Sequence, residues 1–141
     1  MDFISEGKNV LESQPFSQLV GAELVELSEG KATLELPIKR ELKQSFGFVH
    51  GGVVSYMADN TLTFAAATHF GACVTSEFKI NYVQPAQGDR LVAEAEVVSV
   101  TLRQAVIECK VYAERGSSSM LVAVALGTVV KVETDVSGLK P

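Results

Sequence analysis

The stretch HGGVVSYMADNTLTFAAATHFG, from His50 to Gly71, limits what this chain can fold into more than any other. It contains no proline. Apolar side chains fall nearly all round a helical projection of it: Val53, Val54, Tyr56, Met57, Ala58, Leu62, Phe64 and Ala65 to Ala67. A helix apolar on every side is a buried helix, here about 30 Å long at 1.5 Å per residue. Polar residues interrupt it too often for a membrane span. The rest of the chain must therefore supply a surface that wraps a helix.

Three features of this helix do not suit a plain core element. Gly51 and Gly52 open it, and glycine weakens helices. At an N-terminus, however, bare glycines leave the first N–H groups open to close approach by a ligand. With the positive end of the helix dipole, those groups attract a developing oxyanion. Asp59 sits in the middle, where an unpaired buried carboxylate costs several kcal/mol or changes its pKa. Ser55, Asp59 and Thr63 follow at i, i+4 and i+8, one narrow polar stripe. Taken singly, the glycines serve a tight turn, and Asp59 serves an interface ion pair as readily as catalysis. Together on one buried helix they indicate a site. Gly51 and Asp59 stand eight residues apart, ~12 Å along the axis, whereas partners of one reacting group lie within about 3 Å. One helix cannot bring both to one atom. Two copies, antiparallel across a two-fold axis, bring the glycine end of one to the aspartate of the other and give two equal sites.

The remaining elements read in order. Asp2 to Ser13 is a short amphipathic helix, and Pro15 to Val20 adds a further turn, making 1–20 an N-terminal helical segment. Ala22 to Leu27 and Lys31 to Leu36 form a hairpin about Ser28-Glu29-Gly30. Ile38 to Val49 is a loop leading into the long helix. Strands follow over Val74 to Val83, Arg90 to Val100, Gln104 to Glu114 and Met120 to Val132. The last is a near-continuous apolar run, which predicts burial on both faces. Residues 134–141 form a loose tail. Short connections make the sheet antiparallel, and one apolar helix must cover one apolar sheet face. The expectation is a single α+β domain over 1–141, a curled sheet round one long helix.

Composition narrows the function. The net charge is −5 with no basic run, which argues against nucleic acid. The start MDFISEGKNV lacks the basic and apolar regions of a secretory signal, so the expected location is cytoplasmic. Two cysteines, two histidines far apart and no CxxC give no metal signature. There is no serine on a sharp strand-to-helix turn and no glycine-rich phosphate loop. A carboxylate facing backbone oxyanion donors suits attack of water on an acyl carbon, with Asp59 as general base or as nucleophile.

HGGVVSYMAD followed by EFKINYVQPAQGD resembles the hot-dog-fold acyl-CoA thioesterases of the phenylacetate-pathway (PaaI-like) type. The resemblance implies the hot-dog fold, hydrolysis of an aromatic or short- to medium-chain acyl-CoA to free acid and CoA, and no cofactor beyond the coenzyme A of the substrate. It also implies a homodimer or a dimer of dimers. Asp59 matches the family's catalytic carboxylate, and His50 and Gly51 match the residues that hold the thioester, with Gly52 as second donor. Gln44 stands where relatives carry asparagine, with the same amide on a longer stem. Thr75 stands where relatives carry a serine that orients water. An acyl pocket between the two central helices would draw on Phe46, Val54, Tyr56 and Phe64. Arg90 and Arg103 are candidates for the phosphorylated handle. Two other functions stay open: a non-catalytic acyl-CoA-binding module, and a hydratase of enoyl or 3-hydroxyacyl thioesters that pairs a histidine with a carboxylate.

Overall fold

The computed structural model describes residues 2–133, so the tail expected over 134–141 lies outside the described residues. Two short helices, α1 (Phe3–Glu12) and α2 (Pro15–Val20), precede the hairpin β1 (Glu23–Ser28) and β2 (Lys31–Pro37). A 3-10 turn at Arg40–Leu42 leads to α3 (Gly51–Phe70). Four strands follow: β3 (Cys73–Tyr82), β4 (Arg90–Val100), β5 (Gln104–Arg115) and β6 (Ser118–Lys131). They form one six-stranded sheet in the order β1-β2-β4-β5-β6-β3, antiparallel at every pairing. The strand after the helix thus returns to the edge opposite the first hairpin, and β1 and β3 are the two edges.

The sheet curls round α3. Met57, Ala58, Leu62, Ala65 and Ala66 of α3 are sealed against Leu34, Leu36, Leu91, Ile107, Val111 and Val129 of the sheet. Gly127 marks the closest approach: a Cβ there would stand 2.8 Å from Phe78 Cβ and 3.0 Å from Leu62 Cδ1. At α1, the Asp2 side chain caps the helix by accepting from the Ser5 N–H, and Gly7 lets it lie flat on β1, since a Cβ would meet Leu24 and Leu27 at 2.6 and 2.7 Å.

Burial on both faces fails for β6. Its inner positions are sealed, but Leu126 is 50% exposed and Thr128 and Val130 are half-buried. The apolar run misleads because α3 covers only the inner face. Among the described residues no helix is long and apolar enough to cross a membrane.

Candidate active site

The site begins with how α3 starts. His50 is its N-cap, with extended backbone, and its Nδ1 accepts from the Gly52 N–H at 2.8 Å. That bond has two effects. It occupies the Gly52 donor, and it fixes the proton of a neutral imidazole on Nε2. Among the described residues the Gly51 N–H has no acceptor, as expected for a first-turn amide. Of the two glycine amides, the fold therefore leaves Gly51 for a ligand.

The Gly51 peptide is also held from behind. Tyr82, the last residue of β3, donates from its hydroxyl to the Gly51 carbonyl at 3.2 Å and bonds the Ser55 hydroxyl. Its ring lies 3.6 Å from where a Gly51 Cβ would be. Alternation along β3 places Tyr82 inward with Phe78 and Ile80, but nothing in the sequence ties its hydroxyl to a glycine 31 residues earlier.

Gln44 reaches the same place. The loop before α3 closes on itself through the Lys43–Val49 bridge and the Gln44 N–H to Phe48 carbonyl bond at 2.8 Å. The Gln44 side-chain oxygen accepts from the Phe46 N–H, so its NH2 end is the free one. Gln44, Gly51, Val54 and Tyr82 line one cleft of about 380 Å³. Phe46 stands at the loop tip, 84% exposed.

Asp59 has separate company. Thr75 of β3 donates from its hydroxyl to Asp59 Oδ1 at 2.7 Å. Thr63 donates to the Asp59 main-chain carbonyl at 2.9 Å and lies 3.1 Å from the Thr75 hydroxyl. A β-bulge between Thr75 and Glu77 turns Thr75 inward; bulges re-aim side chains in this way. Cys73 lies beside this group, its thiol 3.7 Å from the Thr63 carbonyl. Burial pushes that thiol up to about 11, so it stays protonated at neutral pH and is no nucleophile.

The chain thus carries two separate candidate groups, an N–H end and a carboxylate end, ~12 Å apart along α3. The other expected residues divide between them or fall outside. Val54 belongs to the Gly51 cleft. Phe64 lines a second cleft, between α1 and α3. Tyr56 faces α2: its hydroxyl bonds Ser17 at 2.6 Å, its ring stands edge-on to Phe16, and burial raises its pKa. Arg90 pairs with Glu114 at 2.8 Å and Glu35 at 3.6 Å, and Arg103 with Glu133 at 3.7 Å. Arg90 begins β4 and Arg103 follows its end, so they stand about 30 Å apart at ~3.3 Å per residue. The chain does not bring both to one ligand.

Comparison with known proteins gives this geometry a context. The sequence profile of the thioesterase superfamily matches residues 46–120, which include the whole of α3. The chain is similar to the crystal structure of a thioesterase family protein from Silicibacter pomeroyi, with 30% identity and a TM-score of 0.87, covering 91% of this chain and 96% of that one. It is similar to a mutant form of the phenylacetic acid degradation protein PaaI from Thermus thermophilus, with 27% identity and a TM-score of 0.76 over 84% of this chain and 100% of the other. Among curated proteins it shares 28% identity with the 1,4-dihydroxy-2-naphthoyl-CoA hydrolase of Listeria monocytogenes, over 67% of this chain and 79% of that protein.

Proposed function

The chain belongs to the thioesterase superfamily, and on that premise we propose that it hydrolyses an acyl-CoA thioester to free acid and CoA in a site shared by two copies. The observation that carries the reading is the division of α3. A free Gly51 N–H at its start and a Thr75-held Asp59 in its middle are complementary halves that one chain cannot join. β3 supports the pairing. It is a sheet edge, it carries both Thr75 and Tyr82, and an unpaired edge strand is a template for another strand. Two copies joined antiparallel along β3 bring each Asp59 toward the partner's helix start. The relative from Listeria, named as a 1,4-dihydroxy-2-naphthoyl-CoA hydrolase, supports coenzyme A as the carrier.

The chemistry follows from these groups. The thioester carbonyl oxygen accepts from the Gly51 N–H, at the positive end of α3, and from the free NH2 of Gln44. Both donors are fixed before reaction, so they stabilise the oxyanion without reorganising. Asp59 of the other copy takes a proton from water as the water oxygen bonds to the carbonyl carbon. Thr75 keeps one carboxylate oxygen occupied and leaves Oδ2 for that proton. The tetrahedral intermediate collapses, the C–S bond breaks, and the CoA sulfur leaves with the electron pair and takes the proton from Asp59, which returns to its carboxylate form. His50 serves as cap and orienting group here, because its Nδ1 lone pair is already used by Gly52. That occupation removes the histidine base a hydratase needs.

Thiol release from phenylacetyl-, benzoyl-, hexanoyl- and decanoyl-CoA, for the parent and Asp59→Asn, tests the reading. A general base contributes about 10²–10⁴ in rate, and Asp59→Asn should lose that much while keeping its fold by circular dichroism. Equal rates would remove Asp59 from the chemistry. Micromolar binding with no turnover by either protein would make the chain an acyl-CoA-binding module.

A further inference from the structure

The Gly51 cleft and the Thr75 hydroxyl held against Asp59 account for the reacting atoms. A larger cleft of about 450 Å³ opens between α1 and the second half of α3, within the ordinary range for small-ligand pockets. Its walls are mostly apolar: Phe3, Gly7 and Val10 from α1, Phe64 and Ala67 from α3, and Leu27 from β1. Two contacts set its direction. Asn60 donates to the Gln14 side-chain oxygen at 3.0 Å, and Phe64 lies 3.8 Å from a Cβ built on Gly7. The two helices therefore run antiparallel along the cleft, with Gln14 and Asn60 at one end and Phe3, Thr68 and Gly71 toward the other. The first half of the cleft borders the Asp59 group through Thr63, one turn beyond Asp59 on the same helix face. Thr63, a lining residue, touches both the Asp59 carbonyl and the Thr75 hydroxyl. From Asn60 to Thr68 the cleft runs ~12 Å at 1.5 Å per residue.

We propose that this cleft seats the acyl group, with its carbonyl end at Asn60 and Thr63 and its tail directed toward Phe3 and Ala67, so that the N-terminal helix sets acyl length. The occupant is an apolar acyl group of medium length. The proposal rests on the thioesterase reading of the site. Continuity with the Asp59 group and the apolar lining support an acyl occupant. Charge narrows its class: Glu6 lies on the same wall and has no ion-pair partner among the described residues. It opposes any acyl group that carries a distal carboxylate. The polar cluster of Gln14, Ser17, Tyr56 and Asn60, joined at 2.6 to 3.3 Å, locks α1 and α2 to α3 at the carbonyl end, so the wall is fixed where chemistry occurs.

The test reads a ratio. Using butyryl-, octanoyl- and adipyl-CoA, kcat and KM are measured for the parent, Ala67→Phe and Val10→Trp. The second variant sits on exposed surface and guards against misfolding of the first. The octanoyl-to-butyryl ratio of kcat/KM should fall tenfold or more in both variants, with most of the change in KM. Glu6→Gln should raise the adipyl-to-octanoyl ratio severalfold. Equal loss on all acyl lengths, or no change in the ratio, overturns the proposal. So does a change in oligomeric mass without a change in the ratio, which would make the cleft a contact between copies. No turnover of any thioester by the parent would instead overturn the thioesterase reading itself.

Discussion

At the scale of single residues, the proposed site rests on hydroxyls that hold a carboxylate. A hydrogen bond to a charged group contributes about 1.5–3 kcal/mol, so loss of the Thr75 bond to Asp59 should be felt directly. Thr75→Val keeps the shape and should lower kcat by about 10- to 100-fold, whereas Thr75→Ser should restore most of it. If the serine variant is as slow as the valine one, packing of the methyl matters and the hydroxyl does not. Asp59 and Gly51 are legible in the sequence, because a carboxylate and a glycine pair are out of place on a buried helix. Thr75 is not legible by alternation. Counting back from inward Phe78, a regular strand faces Ser76 in and Thr75 out, and only the bulge reverses them. Thr75 is found through family resemblance alone. Tyr82 escapes because its partner is set by where a strand ends over a helix, a tertiary fact.

The two thiols give a pH dependence at the same scale. An unburied thiol ionises near 9.0, while burial pushes Cys73 up to about 11 and Cys109 up to about 12. Below pH 9 both states keep these protons, and the thiols do not alter stability with pH. Above it the unfolded chain binds fewer protons than the folded one, so stability falls as pH rises toward 11 and 12. Thermal melts at stepped pH should show that slope, reduced in Cys109→Ala. Identical slopes in the two proteins would assign the alkaline loss to other groups.

At the scale of elements, α3 is core and, in the proposed reading, also catalyst, and its first residue separates the two roles. Proline is favoured at the first position of a helix, where its missing N–H costs no helical bond. His50 already has the extended backbone (ψ 134) that precedes proline comfortably. Gly51→Pro therefore deletes the proposed oxyanion donor without breaking the helix start, and its Cδ also crowds the position of the oxyanion, so the loss is at least that of one donor. One such donor accounts for about 10²–10³ in kcat. A loss of at least that size at unchanged melting temperature is the expected result, and full activity would transfer the role elsewhere. Element order and most boundaries were readable from periodicity and turn residues. The burial of β6 was not, because an apolar run does not say whether a second layer covers its outer face. The α1–α3 cleft was hidden for a related reason: Phe3 and Val10 read as packing residues, and a packed face and a cleft wall have the same periodicity.

At the scale of the whole molecule, the proposed reading assigns activity to a pair. If each site joins the Asp59 of one chain to the Gly51 of another, Asp59→Asn and Gly51→Pro chains are each inactive, yet a mixed dimer keeps one intact site of two. Unfolding and refolding an equal mixture should restore about a quarter of parental activity, as random two-fold pairing requires. No recovery, with mixed dimers verified by mass, would place both groups in one chain's site or leave one of them idle.

The bulge in β3 shows how little material separates a working arrangement of this chain from an idle one. Ser76 is the surplus residue there, and its own hydroxyl reaches only the Thr128 carbonyl at 3.3 Å. Its chemical identity matters little, while its presence sets the phase of everything before it in the strand. Removing it would leave every functional side chain in the gene product and slide Cys73 to Thr75 by about one residue, ~3.3 Å, past their partners on β6 and α3. The protein thus records the position of the proposed catalytic neighbour as a count rather than a letter. Deletions in this strand are accordingly more damaging than an inventory of its residues would suggest.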